Sequence, residues 1–267
     1  MDSLVVVRIG SLELQNDLSP ARWVIDRIHG FAVDVGSVIP EGFEAYARLF
    51  HPAIRIEDGE EVAVRWSEIA AANGRTVHPE MQWPHVSGVW EGSGENTPGL
   101  WDLEPDVGSL PRRYTNRLRD LLAEYTTTSD QVWFCVWDGF GDLKIHPEGI
   151  AILTSGRLRR KRRSARRPAP APTLQLPNRA YYLLSGPIGG IGESMCEQWQ
   201  SANLFWPEDR AWCVAAEIDF AWTHIGGGEA LIEGLIKDPA LEAMSAQIHN
   251  GITYEADRIN PPPLARR

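Results

Sequence analysis

The chain has 267 residues, 43% of them hydrophobic and 23% charged, and a formal net charge of −10. That composition is apolar enough to fill a core, which excludes a chain disordered throughout, and its acidic balance argues against a surface built to coat nucleic acid. No run of about 18 apolar residues exists, and the opening Met1-Asp2-Ser3-Leu4 carries an acid where a signal peptide needs bases, so a cytoplasmic protein without membrane spans is expected.

In chain order, a first strand is predicted over residues 4–9. Ser19-Pro20 then reads as the cap and first position of a helix running to about Ile28, with Trp23, Ile25 and Ile28 on its apolar face. Residues 33–39 form a β-branched stretch bounded by Pro40. Residues 43–50 suit a two-turn helix by propensity, but Phe43, Ala45, Ala47 and Leu49 alternate, and Ile54 and Ile56 continue the period of two beyond His51-Pro52; a strand is favoured. Residues 62–66 lead into a short helix that Asn73-Gly74 stops.

Residues 78–109 read as a long irregular segment rich in Gly and Pro, and loops of such length are often functional. A helix follows Leu110-Pro111, with Tyr114, Leu118, Leu121, Leu122 and Tyr125 on one stripe. The bulkiest strand candidates are 131–137, 180–184 and 211–220. Between the first two, residues 156–173 join eight bases to a Pro-Ala tract, which by composition is an exposed linker. Gly226-Gly227-Gly228 precedes a helix over about 229–236, a further turn over 239–244 and a Pro-rich tail. The predicted fold is α+β: one compact unit over 1–267, a largely antiparallel sheet with packed helices and long irregular loops.

The three cysteines, Cys135, Cys196 and Cys213, are odd in number and lack C-x-x-C spacing, which speaks against a disulfide scaffold or a zinc ribbon. Cys135 and Cys213 sit in apolar runs and read as buried thiols.

Several phrases carry a resemblance. Pro40-Glu41-Gly42-Phe43-Glu44-Ala45-Tyr46, Trp133-Phe134-Cys135-Val136-Trp137-Asp138-Gly139, Leu176-Pro177-Asn178-Arg179-Ala180-Tyr181 and Trp206-Pro207-Glu208-Asp209-Arg210-Ala211-Trp212 together resemble an uncharacterised family from high-GC Gram-positive bacteria, which implies no activity. The stretch Ile39-Pro40-Glu41-Gly42-Phe43 is similar to the Leu-Pro-x-aromatic opening of the SUKH superfamily, and that resemblance implies an immunity-type binding protein.

Four constellations carry possible chemistry. The turn Gly186-Pro187-Ile188-Gly189-Gly190-Ile191-Gly192 lies between a strand and an expected helix, the context of a phosphate cradle, yet it lacks G-x-G-x-x-G spacing and a P-loop lysine. His78 and His85 can meet Asp138, Asp142 or His146 only if the chain folds them together, and no zinc-type spacing requires it. Glu217 and Asp219 share one face of a strand, and Asp209-Arg210 reads as a turn or an ion pair. Finally, the chain holds 11 tryptophans, and Trp83, Trp90, Trp101 and Trp206 stand beside turn formers where loop exposure is expected. Exposed indoles anchor interfaces. A non-enzymatic binding or protein-interaction module is therefore the first reading, with those four rings as its partner-binding residues and no cofactor or metal. A nucleic-acid partner is expected at most through the basic linker. A metal-dependent or phosphate-substrate enzyme using His78, His85, Asp138 and His146 or the 186–192 turn is the alternative.

Overall fold

The computed structural model describes residues 7–31, 33–90, 92–93, 96–141, 143 and 171–263. The basic run 157–167, its Pro-Ala continuation to residue 170, and the start of the first predicted strand lie outside them.

The strands are β1 (Arg8–Ile9), β2 (Leu12–Leu14), β3 (Ala45–Phe50), β4 (Ala53–Glu57), β5 (Glu60–Val64), β6 (Val132–Trp137), β7 (Leu174–Leu176), β8 (Arg179–Gly186), β9 (Leu204–Pro207), β10 (Trp212–Ala215), β11 (Trp222–Gly227) and β12 (Ala243–Ala246). The α-helices are α1 (Arg22–Ile25), α2 (Trp66–Ala72), α3 (Trp83–Ser87), α4 (Arg112–Ala123) and α5 (Glu229–Lys237). Ten strands form one sheet in the order β1-β2-β8-β6-β9-β10-β11-β3-β12, with β7 also on β8, while β4 and β5 make a separate hairpin. Every pairing between these strands is antiparallel. The fold is α+β.

Alternation along the strands sorts the core onto two faces. Tyr46 and Phe50 of β3 point to one side with Trp222 of β11 and Trp206 of β9, where Trp23, Val35, Trp66, Trp83 and Trp101 cover them. Ala47 and Leu49 point to the other, with Phe134, Val214 and Ile225, beneath the apolar stripes of α4 and α5. Burying Leu118, Leu122 or Leu235 there contributes about 2 kcal/mol each.

Several expectations hold and several are corrected. Residues 45–50 are a strand, α2 ends as predicted, with Gly74 at φ +61°, and α4 follows its predicted stripe. The β-branched stretch 33–39 instead forms a 3-10 turn, Val35–Ser37, because Asp34 and Ser37 cap it reciprocally. The predicted strand 211–220 stops at Ala215, and β11 begins after a turn and runs through Gly226 and Gly227. Gly226 has a packing reason: a Cβ there would lie 2.5 Å from the Phe43 ring. The turn expected over 239–244 is confined to Pro239 and Ala240, and residues 243–246 are the edge strand β12.

The loop position of a tryptophan does not expose it. Trp83, Trp101 and Trp206 are 1%, 0% and 1% exposed. Trp206 lies within β9, opposite Trp133, and its ring meets Trp23 at 5.7 Å. Trp83 opens α3 and packs between Trp66 and Trp101 at 5.5 and 5.2 Å. This face of the sheet is covered mostly by irregular chain, so large rings take the space that longer helices would fill. Trp90 alone of the four reaches the surface, at 37% exposure.

Candidate functional site

The segment after α2 and the C-terminal segment meet beside β3 and β12. Val35 and Gly36 donate their N–H groups to the carbonyls of Asn250 and Ile248, and Asp34 bridges to Gly251, which brings residue 33 to the same place. A cleft of about 420 Å3 opens there. His78 is buried in it, Glu80 is half-buried, and His249, Glu255 and Arg258 stand around them more exposed. Val33 and Ile259 complete the lining; at 63% and 59% they are the most exposed large aliphatic side chains among the described residues.

His78 is held from behind. Its Nε2 lies 2.9 Å from Oδ1 of Asp257, whose side chain is fully buried. Burial raises the Asp257 pKa, but the N–H and side-chain amide of Asn260, the N–H of Gln82 and His78 outweigh it and hold the carboxyl below its usual value. An ionised carboxylate only accepts, so Nε2 of His78 donates and Nδ1 carries the lone pair while the ring is neutral. Glu80 accepts the N–H of Gly251 through Oε1 at 2.8 Å. Gly251 is needed where residue 256 packs on it, because a Cβ would lie 2.9 Å from the Ala256 Cβ.

Beneath this segment sits Arg48 of β3, 2% exposed. It stacks over Trp222 at 3.8 Å and donates from Nη1 to the carbonyl of Pro79 at 2.7 Å. Nε and Nη2 have no hydrogen-bond partner. Burial lowers its pKa to about 9, and Asp257 and Glu80 oppose the shift. The guanidinium therefore stays charged at neutral pH and balances two carboxylates behind the cleft. Its cross-strand neighbour His224 is 1% exposed with both ring nitrogens unpartnered, and burial pushes its pKa down to about 3.

Trp90 belongs to the edge of this region. It stacks on Tyr254 at 5.3 Å and 22°, and Tyr254 packs on His85 at 4.5 Å, tying the two segments together. Burial lowers the His85 pKa. His78 and His85 thus come together, but around Asp257. Asp138 follows β6, where its charge raises the Tyr182 pKa after burial does, and His146 and Asp142 lie outside the described residues. Among the described residues no group of three or more His, Cys, Asp or Glu is arranged to hold a metal ion.

The other constellations resolve into structure. Within the 186–192 turn residues 188–192 form a 3-10 helix, and the helix expected after Glu193 does not form; irregular chain runs on to β9. Gly190 there packs so closely that a Cβ would sit 2.4 Å from Leu12 Cδ2. Glu217 and Asp219 are both bonded by Arg179 at 2.6 Å. Asp209 organises a turn by accepting from Thr126, Thr127 and the N–H of Ala211. All three cysteines are buried, and burial raises the Cys135 and Cys213 thiols.

Sequence reasoning missed Asp257, Glu80, His249, Glu255, Arg258 and Arg48 as members of one site. Asp257 stands 179 residues from His78, so no local spacing joins them. The one local signal is Asp257 three residues before Asn260, where the carboxylate accepts the Asn260 N–H in an Asx-type turn.

Comparison with family models, with curated proteins and with solved structures found no match.

Proposed function

We propose that this chain is a non-enzymatic binding protein whose recognition site is the cleft between the 78–90 segment and residues 249–260. The observation that carries this reading is the His78 imidazole, fixed by buried Asp257 inside a cleft edged by Val33 and Ile259. A side chain already held in one orientation loses little freedom when a ligand arrives, which favours affinity. Exposed aliphatic side chains beside polar groups are the surface features that mark binding sites. Trp90, stacked on Tyr254, extends the surface on which a partner can rest.

The test is an amide NMR titration of 15N-labelled protein with a fragment set of amino acids, carboxylates, amines and sugars. Shifts concentrated at residues 78–82 and 249–260 support the reading. Fragments that bind only elsewhere, for example in the groove of about 610 Å3 beside Arg112 and Trp199, overturn it.

A second reading draws on the same dyad. A neutral imidazole whose Nδ1 is bare and whose Nε2 faces a carboxylate is suited to act as a general base. The two readings part on the fate of the ligand. A bound fragment recovered unchanged after prolonged incubation supports binding; conversion that His78→Ala abolishes supports catalysis.

A further inference from the structure

Resting on that cleft as the binding site, we infer that its ligand is a small zwitterion of the amino-acid class with a branched aliphatic side chain. The geometry behind this is the meeting of unpaired charges of both signs with two bare aliphatic side chains. Among the described residues neither Glu255 nor Arg258 has a salt-bridge partner, although both line the cleft. Glu80 uses Oε1 on the Gly251 N–H.

Polarity across the cleft follows from the charges behind it. Asp257 and Glu80 are two carboxylates facing the single buried guanidinium of Arg48. Two carboxylates thus oppose one guanidinium behind the cleft, and while the His78 ring is neutral its Nδ1 adds a lone pair on that side. An ammonium group, with three donors and no acceptor, matches Glu80 and His78 there, with Glu255 at the exposed edge beside them. Arg258, more exposed, presents a forked donor that matches a carboxylate. Val33 and Ile259 remain to cover a branched side chain, which removes apolar surface from water on both sides.

A ligand with one charge fits worse for a definite reason. Filling the cleft strips water from the charged groups of the opposite sign, and an unmatched charge that loses its water costs affinity. Both charged ends of the ligand are needed to offset that cost.

The experiment compares L-leucine with 4-methylpentanoate, which lacks the ammonium, and with 3-methylbutylamine, which lacks the carboxylate, by calorimetry and amide NMR. L-leucine is expected to shift the Gly251, Ala256 and Ile259 amides and to bind at least about tenfold more tightly than either analogue. Arg258→Met should weaken leucine by about tenfold and leave the amine unchanged, whereas Glu255→Gln should weaken leucine and leave the carboxylate analogue unchanged. Both side chains are exposed, so neither variant tests the core. Equal affinity for an analogue and leucine overturns the inference. So does binding of other fragments in the cleft without leucine, and in that case the cleft remains the binding site; if leucine, its analogues and the wider fragment set all leave residues 78–82 and 249–260 unshifted, the cleft reading falls as well.

Discussion

Oδ1 of Asp257 lies 2.9 Å from Nε2 of His78, and the remaining capacity of that carboxylate is spent on the N–H groups of Gln82, Ile259 and Asn260. One buried side chain thus joins the segment after α2 to the C-terminal segment and orients the imidazole between them.

Asp257→Ala should therefore act on stability as well as on the cleft. It leaves several buried donors without an acceptor, and the expected loss is about 3 kcal/mol or more. His78→Gln removes only one of those bonds and should cost about 1 kcal/mol. Urea unfolding of the two variants checks the ranking; equal losses would mean that the Asp257 network does not hold the segments together.

The tryptophans separate in the same assay. Trp83, Trp101 and Trp206 are buried, so each Trp→Ala change should cost about 3–5 kcal/mol. Trp90 is partly exposed and should cost well under about 2 kcal/mol, mostly through its stack on Tyr254. A large fall at Trp90, or a negligible one at Trp83 or Trp101, would contradict the packing described.

Acid should weaken the fold through two histidines. Burial, and less strongly the nearby charge of Arg48, lowers His51 to about 4, against the bond its Nδ1 makes to the Asp106 carbonyl, and lowers His224 to about 3. Both native pKa values lie below the unfolded value near 6.5, so between them the unfolded chain binds protons that the native state refuses. Stability is fully present above about pH 6.5 and falls as pH drops toward 4 for His51 and 3 for His224, by up to about 1.4 kcal/mol per pH unit for each group. His224 has no hydrogen-bond partner to lose, so His224→Leu should be near neutral at pH 7 and should flatten that decline. Urea midpoints measured from pH 7 to pH 4 decide it; an unchanged slope in the variant would remove His224 from the explanation.

Much of the architecture was legible because it is local. The period of two at residues 45–50 and the stripe Tyr114, Leu118, Leu121 and Leu122 depend on neighbours in sequence, and both elements form as read. Strand β11 was hidden by its glycines, which the approach of Phe43 to Gly226 and of Leu231 to Gly227 explains, and β12 is short and half-buried, so its alternation is faint. The burial of Trp83, Trp101 and Trp206 was misread because loop position says nothing about what irregular chain covers. The cleft was visible only as one histidine: its other members come from residue 33, β3, Glu80 and the last 20 described residues, and they are joined by the β12–β3 pairing, the Asp34–Gly251 bridge and the side-chain bonds of Asp257 and Glu80, none of which local spacing shows.

The most direct measurement is ring 15N NMR of His78 in uniformly labelled protein near neutral pH, with and without L-leucine. An imidazole held by ionised Asp257 in the binding cleft requires a protonated Nε2 and a bare Nδ1 in the neutral ring, with an Nδ1 signal that moves when leucine is added. The opposite tautomer, or a His78 ring that stays unchanged while resonances elsewhere respond, would contradict the assignment of this cleft as the site.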